Sequence, residues 1–217
     1  MEKHNIIIFA VNQHVIDYFL LPWLSKKESK NYKLYIVTNE FEYLNISQKL
    51  KGRDYELIDY FGPRFNYYDK FIIGTGIINK IKQPSFLWDI DELNVFHNSV
   101  HLYDTSIDVV QAGRRYYRDA TLGDERNAVG FLLTYFARDL GIDPKTVAAI
   151  QEDKLWFPYI DYTQFQYIMQ KCKYKQYLNE GKHYSKWFVD GMGEGNGVGL
   201  ALTKSKIPYR FVGEYLI

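Results

Sequence analysis

Apolar residues follow two rhythms along the first half of the chain. Short, nearly unbroken apolar runs occur at 5–12 (NIIIFAVN), 32–39 (YKLYIVTN), 55–61 (YELIDYF) and 85–89 (SFLWD). Each has the length of a strand, and apolarity on both alternating faces predicts a strand covered on both sides, as in a parallel sheet. Between these runs the apolar positions spread to helical spacing. Residues 14–29 (HVIDYFLLPWLSKKES) place Val15, Tyr18, Phe19 and Pro22 near one face, with the proline kinking or ending the helix. Residues 41–52 read as a helix stopped by Gly52, and 61–65 (FGPRF) as a turn. In 66–83 a third helix puts Tyr68, Phe71, Ile72, Thr75 and Ile78 on one side, although Gly74 and Gly76 weaken its propensity. Strand and helix thus alternate, which predicts an α/β fold: a Rossmann-like, mostly parallel sheet flanked by helices.

The second half is less regular. Residues 104–120 are amphipathic without clear ends, and 123–142 (GDERNAVGFLLTYFARDLGI) predict a helix with an acidic first turn and Gly141 near its end. Residues 154–160 (KLWFPYI) read as a strand and 162–179 as a helix. The stretch 185–212 reads as a strand, a glycine-rich loop, a helix and a last strand. No internal repeat, low-complexity tract or linker divides the chain, so one domain over 1–217 is expected.

Composition narrows the class. With 217 residues, 47% hydrophobic and 24% charged, the chain can bury a core. A formal charge of +1 gives no reason to expect nucleic acid or an anionic membrane as main partner. The single Cys172 excludes an internal disulfide and a cysteine-built zinc site, and reads as a half-buried free thiol. No apolar stretch approaches the ~20 residues of a membrane span, and no charged segment followed by an apolar run opens the chain. The expectation is a cytoplasmic protein, or a soluble domain of a larger viral or microbial one. Aromatics reach 18%, with Tyr at 20 residues, a supply that suits packing more often than stacking on sugars or bases.

The candidate chemistry centres on PSFLWDIDELN at 84–94. On extended backbone Asp89 and Asp91 point to one side, with Trp88 and Ile90 to the other. Their repulsion must be offset by solvent, a basic side chain or a metal ion. A bare D-x-D is common in solvated turns, but this one ends a core strand, and α/β sheets bind ligands at the carboxyl ends of their strands. There Mg²⁺ or Mn²⁺ can be held by one or two carboxylates plus substrate phosphates. Asn12 and Asn39 stand at other strand ends.

The remaining motifs are less specific. The glycines of 191–199 (GMGEGNGVG) fit neither a P-loop nor G-x-G-x-x-G; they read equally as a plain loop or as one carrying a functional carboxylate, Asp190 or Glu194. Arg114, Arg115 and Arg118 form a cluster suited to a phosphate contact or to a solvated helix face. His4, His14, His97, His101 and His183 lack metal-ligand spacing, His97 and His101 fall in a window without helical pattern, and no G-x-S-x-G elbow exists.

Three stretches, NIIIFAVN, FNYYDKFIIGTGIINKIKQPSFLWDIDELN and EGNGVGLALTKSKIPYRFV, together resemble a GT-A glycosyltransferase with a DxD motif. The similarity is to retaining transferases of the glycogenin and blood-group type and to small glycosyltransferase domains of giant algal viruses. The middle stretch, a Tyr-Tyr-x-basic helix leading to a strand and DxD, is the most specific. The resemblance implies a donor-binding half over about 1–100 and an acceptor-binding half over about 101–217. By it, Asp91 would bind Mn²⁺ or Mg²⁺ directly, and Asp89 would touch the ribose and assist the metal. Val11 and Asn12 would lie beside the base, and Lys70 would contact the donor near the DxD. Arg115 would offer a phosphate contact, without a secure family counterpart. Glu194, or failing it Asp190, would sit near the anomeric carbon or the acceptor hydroxyl. His183, Asp190 and Glu194 compete as the third metal ligand. The implied activity is transfer of a sugar from a UDP-sugar to a saccharide hydroxyl, with retention favoured. The alternatives are a nucleotidyltransferase, which should carry glycines after its first strand where FAVNQHVIDYF has none, and a non-catalytic carbohydrate-binding module.

Overall fold

The computed structural model describes residues 3–45, 47–62, 66–94, 97–114, 136–147, 150, 154–180 and 194–214. Among the described residues seven strands form one sheet: β1 His4–Phe9, β2 Tyr32–Thr38, β3 Tyr55–Asp59, β4 Ser85–Trp88, β5 Val110–Arg114, β6 Lys154–Phe157 and β7 Tyr209–Glu214. Their order is β3-β2-β1-β4-β6-β5-β7. Only β6 runs against the rest, pairing antiparallel with both β4 and β5. Among the described residues the helices are α1 (13–24), α2 Phe41–Asn45, α3 Tyr67–Ile81, α4 Thr163–Glu180 and α5 Glu194–Lys204, with the end of a further one at 136–139. The architecture is the expected α/β one, with a mostly parallel sheet flanked by helices.

The apolar runs are continuous because both faces of the sheet are covered. In β1, Ile6 and Ile8 enter one core with Phe86, Trp88, Trp156 and Trp23 of α1. Ile7 and Phe9 enter the other with Leu87, Leu155 and residues of α3, α4 and α5. Each fully buried isoleucine side chain stabilises the fold by about 1.5–3 kcal/mol relative to exposure. The first core contains an oddity: the indole Nε1 atoms of Trp23, Trp88 and Trp156 are buried without a hydrogen-bond partner. Cys172 is fully rather than half buried, and burial pushes its thiol up to about 12, so it is a packing residue and not a nucleophile.

Several elements differ from the sequence expectation. Pro22 does not break α1. It stands at the start of the last turn, Leu21–Leu24, after a π turn over Ile16–Leu20 that absorbs the missing donor. The helix from 41 is only Phe41–Asn45, and Gly52 (φ +74°) closes a later turn. Gly74 does not interrupt α3, because a Cβ there would meet Leu87 at 3.0 Å, so the glycine lets the helix lie close to the sheet. Residues 97–102, which carry no helical pattern, form a 3₁₀ turn. Arg114 ends β5 and is not on a helix face. Of the helix expected over 123–142, the described part is its end at 136–139, capped by Gly141 with φ +70°.

Most instructive is the glycine-rich stretch. Helix α5 begins at Glu194, so Gly195, Gly197 and Gly199 are helical rather than in a loop. The cause is packing: a Cβ on Gly197 would lie 2.7 Å from Tyr68 Cε1 in the first turn of α3. Low intrinsic propensity gives way to tertiary contact. Gly197→Ala is therefore expected to destabilise the protein by about 1–3 kcal/mol through overpacking. Urea midpoints check this, and a wild-type midpoint would show that the Tyr68 ring yields freely.

Candidate functional site at the carboxyl edge of the sheet

Strand order turns at β1. Strands β2 and β3 build outward on one side of it, and β4 adds on the other. In open α/β sheets such a reversal leaves a crevice outside the carboxyl ends of the two strands flanking it. The residues following β1 and β4 are Val11–Asn12 and Asp89–Asp91, so the sequence candidates from two distant segments stand at neighbouring strand ends.

At the end of β1, Val11 is half-buried against the core. Asn12 adopts extended backbone (φ −155°, ψ 156°), and its side-chain oxygen accepts a hydrogen bond from the Val15 amide at 2.9 Å, capping α1. The cap occupies that oxygen and fixes where the helix starts relative to the crevice.

At the end of β4 the strand stops at Trp88, one residue earlier than expected. Strand alternation therefore does not extend through the two aspartates. Asp89 follows the strand, Ile90 makes a turn, and Asp91 opens a short 3₁₀ turn, Asp91–Asn94, pinned by fully buried Leu93. Trp88 and Ile90 do share one core, as alternation predicts. The two carboxylates differ in surroundings: the Asp89 side chain is 24% exposed, whereas Asp91 faces solvent.

The first turn of α3 supplies the compensating charge. Asn66 caps it, its side-chain oxygen accepting from the Tyr68 amide at 2.9 Å. Lys70, only 2% exposed, donates from Nζ to Asp89 Oδ1 at 2.5 Å. Beside it, Asp69 Oδ2 accepts from the Tyr60 hydroxyl at 2.9 Å, while Asp69 Oδ1 takes the Lys173 ammonium from α4. Two acid–base pairs thus lie side by side on consecutive residues of α3. They tie that helix to the end of β4, to the residue following β3 and to the third turn of α4. Lys70 stands on Asp89, so of this pair Asp91 is the carboxylate presented to solvent.

A second lysine approaches from the other face of the sheet. Lys154, the first residue of β6, is in register with Trp88 and also 2% exposed. Its Nζ lies 4.1 Å from the centroid of the Trp88 ring, within cation–π range. Its carbonyl accepts from the Tyr103 hydroxyl at 2.9 Å. Because β6 is reversed, its amino end lies at the carboxyl edge of its neighbours.

Helix α5 also starts at this edge, since Gly197 packs on Tyr68 and the Gly195 carbonyl accepts from the Ile150 amide at 3.2 Å. The backbone of Glu194 therefore enters the same neighbourhood as Lys70. Helix α4 ends at Glu180, about two turns beyond Lys173. Arg115, His183 and Asp190 lie outside the described residues, as do residues 181–193 joining α4 to α5. Among the described residues no three His, Cys, Asp or Glu side chains gather in a metal-binding group.

Sequence reading identified Asp89, Asp91 and Lys70 but missed Lys154, Asp69, Lys173 and Tyr60. A signal existed for Asp69 in the adjacent acid and base of YYDK. Lys154 carried little, since a lysine opening a strand is ordinarily solvated. No helix among the described residues is long and apolar enough to cross a membrane. No protein-family model matches the chain, and no curated protein matches it.

Proposed function

We propose that the protein is a metal-dependent glycosyltransferase of GT-A type, which moves a sugar from a UDP-sugar to a saccharide hydroxyl. The observation that carries this reading is the arrangement of charge at the switch point. A solvent-facing carboxylate, Asp91, stands beside a second one held by a buried lysine, between the ends of β1 and β4.

The donor set fits a hard divalent cation of the kind held by one or two carboxylates with substrate phosphates completing the shell. Asp91 would hold Mn²⁺ or Mg²⁺, with Asp89 assisting, and His183, Asp190 or Glu194 completing the protein's share. When bound, the ion supplies neutralising charge for a diphosphate leaving group. The protein's own part is positioning. Lys70 fixes the Asp89 carboxylate, α1 begins beside the base subsite at Val11 and Asn12, Arg115 offers a phosphate contact, and α5 brings in Glu194.

In the reaction the bond from the anomeric carbon to the diphosphate oxygen breaks, with its electron pair leaving on UDP. A bond from the acceptor oxygen to that carbon forms. With retention, favoured here, the acceptor proton passes to the departing diphosphate and Glu194 stabilises positive charge on the sugar. With inversion, Glu194 or Asp190 takes that proton as general base. By the same reading the second half of the chain would shape the acceptor subsite.

Thermal unfolding with UDP and a panel of UDP-sugars, with and without Mn²⁺, tests the reading. Ligand at a hundredfold its Kd stabilises by about 2.7 kcal/mol, which for a chain of this size raises Tm by about 5–10 °C. The expected result is a metal-dependent shift with uridine nucleotides. Absence of any such shift overturns the proposal. A shift with nucleoside triphosphate and sugar phosphate instead selects a nucleotidyltransferase, and a metal-independent shift with saccharide alone selects a binding module.

A further inference from the structure

Among the described residues the most exposed aromatic rings include Phe61 at 89%, Tyr174 at 63% and Tyr67 at 60%. All three stand within two residues of one polar node. Its centre is the Asp69 carboxylate, which accepts from the Tyr60 hydroxyl at 2.9 Å and from the Lys173 ammonium. Phe61 follows Tyr60 directly, and Tyr174 follows Lys173. Helices α3 and α4 run antiparallel, since Lys173 meets Asp69 while Gln166 meets the Ile72 carbonyl and the Thr75 hydroxyl at 3.2 and 3.1 Å. Tyr67, about 3 Å before Asp69, and Tyr174, about 1.5 Å beyond Lys173, therefore stand near one level of this helix pair. The node reaches the surface between them, with side-chain exposures of 26% at Lys173 and 12% at Asp69.

Rings left in water beside a paired acid and base offer flat apolar faces together with hydrogen-bonding groups already fixed in place. A neutral sugar matches both, with a C–H face against a ring and hydroxyls on the carboxylate and ammonium. Size argues against a stable protein partner. Such rings bury about 150–250 Å² each, so three at these exposures offer about 300–500 Å², against ~800 Å² per partner in a stable interface. We propose that Phe61, Tyr67 and Tyr174, set around the Asp69–Lys173 pair, form a subsite for a neutral oligosaccharide, the acceptor of the transfer. The acceptor role rests on the glycosyltransferase reading. Consecutive residues of α3 join the subsite to the aspartate pair, because Asp69 carries the node and Lys70 holds Asp89. Residues of the first half of the chain thus take part in acceptor binding.

Saturation-transfer NMR and isothermal titration with neutral trisaccharides of glucose, galactose, mannose or N-acetylglucosamine test this, on wild type, Phe61→Ala, Tyr67→Ala and Tyr174→Ala. At least one trisaccharide is expected to bind, and each alanine to weaken it about tenfold. Tyr174→Phe, which keeps the ring, should stay within about threefold of wild type. Tyr167 is an exposed ring about 10 Å back along α4, with the Lys171 ammonium 4.4 Å from its centroid. Tyr167→Ala should leave binding within about twofold, as an independent site does. All these positions are exposed, so the variants are expected to keep wild-type thermal stability. Binding of no trisaccharide overturns the proposal, as does binding that the three alanines leave unchanged. A wild-type dimer dispersed by Phe61→Ala, without sugar binding, overturns it in favour of contact between copies. Thermal shift with UDP and Mn²⁺ separates the two readings. Trisaccharide binding without a nucleotide shift keeps the sugar subsite and removes the transferase, whereas a nucleotide shift without trisaccharide binding removes the subsite alone.

Discussion

Asp91→Asn is expected to abolish the Mn²⁺-dependent part of uridine-nucleotide binding and to lower transfer about a thousandfold, while leaving thermal stability in the absence of ligand unchanged. The size follows from the role. A metal that neutralises a developing diphosphate contributes several kcal/mol to the barrier, and each 1.36 kcal/mol is about a factor of ten in rate. The unchanged stability follows from the surroundings, since Asp91 faces solvent at the mouth of a 3₁₀ turn whose anchor is Leu93. Unfolding scans without ligand, scans with UDP and Mn²⁺, and initial rates with a competent donor check the three parts. A metal-dependent shift that survives in Asp91→Asn would remove the role assigned to this carboxylate.

Lys70→Met should have the reverse character, a large loss of stability before any loss of ligand. Removing one member of a buried ion pair leaves the other desolvated and costs about 3–5 kcal/mol. Asp89 keeps about a quarter of its side-chain exposure, so the lower end of that range applies. For a domain of this size that corresponds to about 6–12 °C in Tm. The double variant Lys70→Met/Asp89→Asn removes the stranded charge and should recover more than half of the loss. Urea denaturation of the two single variants and the double variant gives the coupling directly. If the double variant is no more stable than Lys70→Met, the cost lies in packing of the lysine stem beside Phe71 and not in the ion pair.

The strands most readable in the sequence were those whose environment is uniform. NIIIFAVN and YKLYIVTN are apolar on both faces because helices cover both faces, so composition alone exposes them. β5 was not legible, since Gln111 and Gly113 interrupt its apolar character. Nor does KLWF carry any sign of its direction. Antiparallel pairing with β4 is decided by where the chain comes from, not by four residues of strand. The glycines of α5 misled for a definable reason: their absent side chains serve the approach of Tyr68, a contact far away in sequence. Within the candidate site, the aspartates were legible because a strand ending in two acids is locally odd. Lys154, Asp69 and Lys173 were not, because each owes its meaning to a partner on another element.

The aspartate pair also proved chemically unequal. Read as a pattern, D-x-D is two like residues on one side of a strand. In the fold, the strand ends before them, one acid is committed to a lysine and the other is left outward. Their repulsion is thus met first by a side chain, and the remaining carboxylate is turned to solvent.

The tryptophan cluster behind β4 carries a spectroscopic consequence. Three of the four tryptophans, Trp23, Trp88 and Trp156, share one apolar core with buried, unbonded indole nitrogens. Indoles in such surroundings emit at short wavelength, and Trp88 sits directly behind Asp89 with the Lys154 ammonium against its ring. Emission from Trp88 is therefore expected to respond to charge arriving at the aspartates, without a ligand touching the ring.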